Sequence, residues 1–232
     1  MIEHYLDQVS SYAAEVDHLF LLITLFVGFW FLVAEGAILY FLVRFRRKEG
    51  EPSLRLDGSD KKHKRWINVP HLLIIACDVV IIAVSAKVWW QVKQDMPEAD
   101  ETIRVISRQW AWTFVHPGED GEQGTADDVT LVDELHLETG KTYHYELTSR
   151  DVLHSFSIPV FRLKQDAVPG RKIRGWFRPV KPGEYDIQCA EMCGVGHGVM
   201  AARLYVRSPE EHKAWLKTVA SEHPESLARA SR

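Results

Sequence analysis

Two long apolar runs occupy the first part of the chain, and a polar–apolar alternation fills most of the rest. Residues 19–43 read LFLLITLFVGFWFLVAEGAILYFLV, with Glu35 as the ionisable side chain. Residues 69–92 read VPHLLIIACDVVIIAVSAKVWWQV, with Asp78 and Lys87 inside the run. A helix advances about 1.5 Å per residue, so roughly 20 residues cross a hydrocarbon core of about 30 Å. Each run therefore predicts a membrane-spanning helix. Buried helices of a soluble protein normally keep a polar stripe, which neither run shows. The segment before the first run carries Glu3, Asp7, Glu15 and Asp17 where a secretion leader would carry basic residues, so this run is read as a retained helix.

Beyond Met96-Pro97 the period changes. Residues 102–114 (TIRVISRQWAWTF), 141–148 (KTYHYELT) and 172–178 alternate with period two, and 199–207 is short and apolar. Turn signals separate them at Pro117-Gly118, Thr139-Gly140, Pro169-Gly170 and Pro182-Gly183. Short strands punctuated in this way predict an antiparallel sandwich or barrel. Ser208-Pro209-Glu210-Glu211 supplies an N-cap, a proline at the first helical position and a glutamate at the third. It predicts a short amphipathic helix followed by a tail that frays from about Ser221.

Charge orients these pieces. The segment 44–65 carries Arg44, Arg46, Arg47, Lys48, Arg55, Lys61, Lys62, Lys64 and Arg65, whereas residues 1–18 contain neither Lys nor Arg. The positive-inside rule puts the connecting segment in the cytoplasm and both termini outside. Trp66, Trp89 and Trp90 fall where an aromatic belt would anchor the second helix. The expected organisation is an external N-terminal segment (1–18), transmembrane helix 1 (19–43), a cytoplasmic basic loop (44–66), transmembrane helix 2 (67–93), a β domain (97–207), and a C-terminal helix and tail (208–232). A net charge of −4 and ordinary hydrophobicity point to neither disorder nor a nucleic-acid partner.

Candidate chemistry concentrates in Cys189-Ala190-Glu191-Met192-Cys193-Gly194-Val195-Gly196-His197-Gly198-Val199-Met200. Two thiols, an imidazole and two thioethers share this stretch, and its glycines let the backbone wrap closely around something small. A second imidazole, His154, lies upstream. Soft sulfur with imidazole is the ligand set copper favours. Four arrangements compete. A Cys189–Cys193 disulfide leaves His154, His197 and Met200 unexplained. A structural zinc site needs no thioether, and a mononuclear blue-copper site needs one cysteine only. Two coppers bridged by both thiolates, each capped by one imidazole, with a thioether and a backbone carbonyl completing the set, would use every donor. Cys77, within the second apolar run, reads as a small packing residue.

The sequence resembles subunit II of the cytochrome c oxidase type of haem-copper oxidase, from the first membrane helix to about Arg207. The likeness rests on Gln109-Trp110-Ala111-Trp112, Asp133-Glu134-Leu135-His136-Leu137, Asp151-Val152-Leu153-His154-Ser155-Phe156, Lys164-Gln165-Asp166-Ala167-Val168-Pro169-Gly170-Arg171, and the Cys189–Met200 stretch. The resemblance implies a two-helix transmembrane hairpin followed by an all-β, cupredoxin-like Greek-key barrel, the copper A domain at 97–207. It implies a binuclear copper A centre held by His154, Cys189, the main-chain carbonyl of Glu191, Cys193, His197 and Met200. It further implies a magnesium ion reached by the Glu191 side chain at the subunit interface, and electron entry at Trp110. The implied activity is that of cytochrome-c oxidase. Electrons pass from cytochrome c through this subunit to haem in catalytic subunit I, where oxygen is reduced to water, and no catalytic residue for that step lies in this chain. Expected partners are subunit I, other oxidase subunits, cytochrome c and membrane lipid. The expected location is a bacterial inner or plasma membrane, with the copper domain on the extracytoplasmic side.

Members of the family often carry a Glu where this chain has His63, three residues before Trp66 and seven before Pro70. That Glu is linked to a proton path, so His63 either substitutes or is one more basic loop residue. Glu35 and Asp78 inside the bilayer call for protein or water neighbours. The turn 117–128 (PGEDGEQGTADD) reads as a solvated turn or a calcium loop, and its carboxylates, placed near Trp110, would steer a basic donor. Quinol-oxidising relatives lack the copper ligands, and this chain has no Cys-x-x-Cys-His for a fused c-type haem, so the expected donor is a separate protein. Two other functions share these features: the copper subunit of a nitric-oxide-reducing relative, and a membrane-anchored copper-delivery protein.

Overall fold

A computed structural model describes residues 7–50, 58–118 and 120–222. The basic residue Arg55, the acidic Glu3 and the tail beyond Glu222 lie outside them. The chain divides into two units, Glu15–Trp90 and a β-rich unit that takes in the N-terminal residues up to Ala14 together with Gln91 onward.

The first unit contains α1 (Ala13–Arg44) and α2 (Lys61–Trp89), the latter followed by a π turn over Trp90–Gln94. α1 has 32 residues, enough for about 48 Å of helix, and both helices are long and apolar enough to cross a membrane. Their large side chains are exposed, Leu32 at 69% and Ile82 at 67%, so the burial these residues require must come from lipid or another chain. Asp60 caps α2 by accepting the Lys62 N–H at 2.8 Å.

The β-rich unit has ten strands: β1 (Glu101–Arg108), β2 (Ala111–His116), β3 (Val129–Val132), β4 (Glu134–Glu138), β5 (Tyr143–Ser149), β6 (His154–Ile158), β7 (Leu163–Ala167), β8 (Ile173–Phe177), β9 (Gly183–Cys189) and β10 (Ala201–Arg207). They form two five-stranded sheets, ordered β3-β2-β1-β5-β8 and β4-β10-β9-β6-β7. Phe156 on one sheet meets Trp112, Phe114 and Tyr145 on the other at ring-centroid distances of 5.4, 6.1 and 6.0 Å. All four are fully buried, and each such side chain contributes on the order of 1.5–3 kcal/mol. The arrangement is cupredoxin-like.

Two strand-level expectations need correction. The stretch 102–114 is not one strand but a hairpin turning at Gln109-Trp110, with Arg108 opposite Ala111. The buried positions betray the turn, being odd-numbered before it (Ile103, Val105, Ser107) and even-numbered after it (Trp112, Phe114). The sheets are also not purely antiparallel, since β1 pairs with β5 and β4 with β10 in parallel. The chain crosses between sheets before each of these pairings, so strands distant in sequence become neighbours. One crossing lies at Asp133, in the left-handed region at φ 59°, whose carboxylate accepts the Trp112 N–H at 2.8 Å.

Residues 7–13 belong to this unit rather than hanging free. The Val9 N–H donates to Val160 O at 2.9 Å, and Val9 O accepts the Val180 N–H at 2.8 Å. Ser11 N–H donates to Arg178 O at 3.0 Å, and Ser10 Oγ to Phe161 O at 2.9 Å. Val9 and Ala13 are fully buried, and Tyr12 packs edge-on against Trp176 at 5.2 Å. Helix α3 (Pro209–Glu222) closes the described chain behind a reciprocal cap: the Ser208 N–H and Oγ–H donate to Glu211 Oε2, both at 2.9 Å, and the Glu211 N–H donates to Ser208 Oγ at 3.3 Å.

Candidate metal centre

Strand β9 ends at Cys189, and the chain then loops through Glu191 and Cys193 into a 3₁₀ turn (His197–Val199) before β10 starts at Ala201. The loop is tied at its base, where the Cys189 N–H donates to Met200 O at 3.1 Å. A second tie runs from the Ala190 N–H to Ser155 O at 3.0 Å, beside His154 at the start of β6. Sheet pairing of β6 with β9 thus brings the upstream imidazole to the cysteine loop, with Phe156 opposite Cys189.

The sulfur of Cys189 lies 3.9 Å from His154 Nδ1, 3.7 Å from Cys193 Sγ and 3.3 Å from Glu191 O. Cys193 Sγ lies 3.7 Å from His197 Nδ1 and 3.8 Å from Met200 Sδ. Donors about 2.0–2.3 Å from a shared ion, at angles near tetrahedral, stand roughly 3.3–3.8 Å apart. Four of the five observed spacings fall in that range, and the Cys189–His154 distance of 3.9 Å lies just beyond it. His154, Cys189, Cys193 and Met200 are buried, while His197 and Glu191 are half-buried. Every sequence-predicted ligand is therefore gathered in one place, and Trp110 lies against them.

The spacing also weighs the competing arrangements. A disulfide requires sulfurs about 2.05 Å apart, and here they are free thiols at 3.7 Å. A single four-coordinate ion requires all its donors close to one another. Among the His, Cys, Asp and Glu side chains of the described residues, His154, Cys189 and Cys193 form the group whose donor atoms all lie within 4.8 Å of one another. His197 approaches Cys193 from outside that group. The donors therefore gather around the two sulfurs, His154 and the Glu191 carbonyl beside Cys189, and His197 and Met200 beside Cys193. As a thiol, Cys193 is pushed up to about 11 by burial and by the adjacent Cys189, so holding a metal ion would require it to give up that proton.

Around the donors lies a hydrogen-bonded collar. Asp151 Oδ1 accepts from His154 Nε2 at 2.8 Å and from the Val152 N–H at 2.7 Å, while Asp151 Oδ2 accepts the Gln109 N–H at 2.6 Å. The Gln109 side-chain amide and the Trp110 indole N–H both donate to Cys193 O, at 2.8 and 3.3 Å. A Cβ on Gly196 would stand 2.4 Å from the Trp110 ring, so this indole can press on the ligand loop only because residue 196 is glycine. Trp110 is nonetheless 40% exposed, and Met192, Val195 and Val199 of the cysteine loop are exposed as well. Asp151 and Gln109 were not singled out as functional from the sequence. The available signal was an acidic residue three positions before a candidate histidine ligand.

Among the described residues, the carboxylates of the turn 117–128 do not surround Trp110. The turn leaves the far end of β2, about 17 Å of strand away, because His116 pairs with Val129. Asp128 is buried and paired with Arg104 at 3.0 Å. The acidic group beside Trp110 is Asp151.

The chain also matches known proteins. Residues 101–206 match the family described as cytochrome C oxidase subunit II, periplasmic domain. The alternative cytochrome c oxidase subunit 2 of Bradyrhizobium diazoefficiens is 33% identical over 212 residues, covering 82% of this chain and 75% of that protein. Cytochrome c oxidase subunit 2 of Cereibacter sphaeroides is 32% identical over 210 residues, covering 78% and 68%. The crystal structure of the periplasmic domain of subunit II of cytochrome oxidase from Bradyrhizobium japonicum superposes with a TM-score of 0.46 at 29% identity, over 55% of this chain and 98% of that one. With two buried thiols, two imidazoles and a thioether gathered behind an indole, and with relatives of this extent, the chain belongs to the cytochrome c oxidase subunit 2 family.

Proposed function

We propose that this chain is the electron-entry subunit of a respiratory haem-copper oxidase. It takes single electrons from a separate c-type cytochrome and passes them to haem in the catalytic subunit, where oxygen is reduced to water. The observation that carries the reading is the continuous contact from surface to donors: an exposed indole whose N–H donates to the carbonyl of Cys193, itself one of the clustered thiols.

His154, Cys189, the Glu191 carbonyl, Cys193, His197 and Met200 would hold a binuclear copper A centre. When bound, copper supplies a one-electron acceptor whose shared thiolates spread the added charge over two ions, so little reorganisation accompanies turnover. The chain's own contribution is rigidity and dryness. Four of the six donor residues are buried, and sheet pairing, the Cys189–Met200 tie and the Asp151 carboxylate fix the loop. Met192, Val195 and Val199 are exposed apolar side chains of the loop whose Gly194 and Gly196 lie against Trp110, a surface that suits docking of the cytochrome. Glu191 turns its carbonyl toward Cys189, and its half-buried side chain is the candidate magnesium contact at the interface with subunit I.

Both helices would lie in the membrane, with Arg44 and Lys61 to Arg65 on the cytoplasmic side and the β-rich unit on the extracytoplasmic side of a bacterial plasma membrane. Hydrogen bonding of Val9 and Ser11 into the β-rich unit, which the chain re-enters at Gln91 after two crossings, supports one side for both.

The test is electron paramagnetic resonance of the full-length, copper-loaded subunit in its oxidase. Hyperfine structure from one electron shared equally by two coppers, lost and regained as reduced cytochrome c is oxidised, is the expected result. A single-copper pattern redirects the reading to a blue-copper protein.

A further inference from the structure

Asp151 occupies the bend between β5 and β6 and touches both halves of the site. Its Oδ1 accepts from His154 Nε2 at 2.8 Å, and its Oδ2 accepts the backbone N–H of Gln109, the residue before Trp110, at 2.6 Å. A carboxylate only accepts, so the neutral His154 ring must carry its single proton on Nε2. That leaves the Nδ1 lone pair on the side of Cys189 Sγ, 3.9 Å away. The same carboxylate grips the turn whose two side chains donate to Cys193 O. The contacts close a ring: Asp151, Gln109 and Trp110, Cys193, Cys189, His154 and Asp151 again.

We propose that Asp151 is the positioning residue of the centre, holding His154 in its Nδ1-ligating form and tying the turn that bears Trp110 to that same ligand. The entry aromatic and the metal ligand then keep one spacing during turnover. The inference rests on the function proposed above and adds a residue that is neither a ligand nor an entry group. Partial burial raises the Asp151 carboxyl, but hydrogen bonds from the Gln109 N–H, His154 and the Val152 N–H outweigh it and hold the group below its ordinary value. The Asp151 side chain is 30% exposed while His154 is fully buried, so the carboxylate is accessible to solvent on one side and braces a dry imidazole on the other.

Asp151→Asn keeps the size and replaces one acceptor by a donor, so either His154 or Gln109 loses its partner. The assembled, copper-loaded oxidase carrying this variant is to be compared with wild type in three respects: copper content, paramagnetic resonance with midpoint potential, and oxidation of reduced cytochrome c across ionic strengths. The expected outcome is retained copper, altered histidine hyperfine coupling with a shifted potential, and a kcat lower by roughly 10–100-fold, the usual cost of removing an outer partner of a metal ligand. A change confined to KM and its salt dependence, with spectrum and potential as in wild type, overturns the proposal and leaves Asp151 as a docking charge. Should Asp151→Asn lose its copper, Asp151→Glu decides. Copper retained with a carboxylate supports positioning, whereas an equally empty site overturns it. If wild type itself lacks a two-copper spectrum, the proposed function fails; if only the variant is indistinguishable from wild type, this inference alone fails.

Discussion

Strand β2 joins two histidine clusters of opposite character. Near its start, Trp112 lies 6.3 Å from the ring of His154, whose nitrogens face Cys189 on one side and Asp151 on the other. At its end, His116 meets Trp215 of α3 at 5.8 Å, and the same indole stacks on His136 at 4.1 Å and touches His212 at 5.2 Å. His116, His136 and His212 are as buried as His154. Yet among the described residues neither ring nitrogen of His116, nor Nδ1 of His136 or His212, has a hydrogen-bond partner. The difference lies in convergence. At one end His154 Nδ1 faces the Cys189 sulfur while its Nε2 is braced by the Asp151 carboxylate, the placement expected of a ligand. At the other the histidines pack around one indole, His136 stacked on it, His116 edge-on and His212 tilted, and serve as packing aromatics. Burial and residue type do not make a metal site; a shared focus for donor atoms does.

Removing a donor gives the largest expected effect. Cys193→Ser deletes the sulfur that touches Cys189, His197 and Met200. The two-copper spectrum should vanish, and turnover should fall by more than the roughly 10–100-fold that follows loss of an outer partner. Copper per chain in the purified oxidase, measured with the spectrum, checks this. Because the Trp215 cluster lies elsewhere, hydrogen exchange of α3 should not change. Full two-copper loading in Cys193→Ser would break the comparison at its first step.

Trp215→Ala is the matching experiment at the other end. Fully buried tryptophans lose about 3–5 kcal/mol on truncation, and Trp215 is half-buried, so a loss of about 2 kcal/mol is expected. It should appear as lost amide protection in α3, with the copper spectrum of the intact oxidase unaltered. A changed spectrum would mean that β2 couples the clusters.

How legible the two clusters were from sequence follows from the same contrast. Cys189, Cys193, His197 and Met200 lie within twelve residues, and ligand chemistry constrains such spacing tightly, so these candidate donors were readable before any fold was known, whereas Glu191 entered only through the family resemblance. His116, His136, His212 and Trp215 come from three separate elements, and at each position alternation or helical spacing reads simply as core. The membrane helices and the cap at Ser208 were legible because periodicity and capping are local. The parallel pairings of β1 with β5 and β4 with β10 were not, since they depend on crossovers that leave no local signal. Nor was the docking of Val9 to Ala13, whose backbone bonds no side-chain pattern reports.

Acid should act on one cluster before the other. Burial first, then the neighbouring His136, His212 and Lys141, lowers His116 to about 3. Burial and Arg207 lower His136 to about 4, and burial with Lys141, His136 and Arg207 lowers His212 to about 4. Two carboxylates oppose this. Glu101 stands 4.0 Å from His116 but is engaged by Lys141 at 2.6 Å, and Glu134 stands 3.4 Å from His136 but is half exposed. An imidazole whose pKa in the fold lies below its unfolded value of about 6.5 stabilises fully above that pH. The contribution is lost as pH falls from about 6.5 toward about 4. Helix α3 should therefore lose amide protection over that window while the sheets keep theirs. His136→Phe, which retains a ring against Trp215 but cannot charge, should shift the loss to lower pH. Loss of protection at an unchanged pH in His136→Phe would remove that histidine from the explanation.

The smallest effect tests whether α3 is held by packing or by its own cap. Ser208→Ala removes the hydroxyl that accepts the Glu211 N–H and donates to the Glu211 carboxylate, at 3.3 and 2.9 Å. The backbone bond from the Ser208 N–H to Glu211 survives. Loss of a serine cap costs about 1 kcal/mol, roughly half the effect expected for Trp215→Ala. Hydrogen exchange should show it as faster opening of the first turn after Pro209, spreading little toward Trp215, because His136 and Tyr205 stack at 4.6 Å and the indole lies on that pair's imidazole. If Ser208→Ala instead frees the whole helix as fully as Trp215→Ala does, the cap rather than the histidine–indole stack anchors α3. The buried histidines at that end of β2 would then be filler in a core whose hold on the helix begins at Ser208.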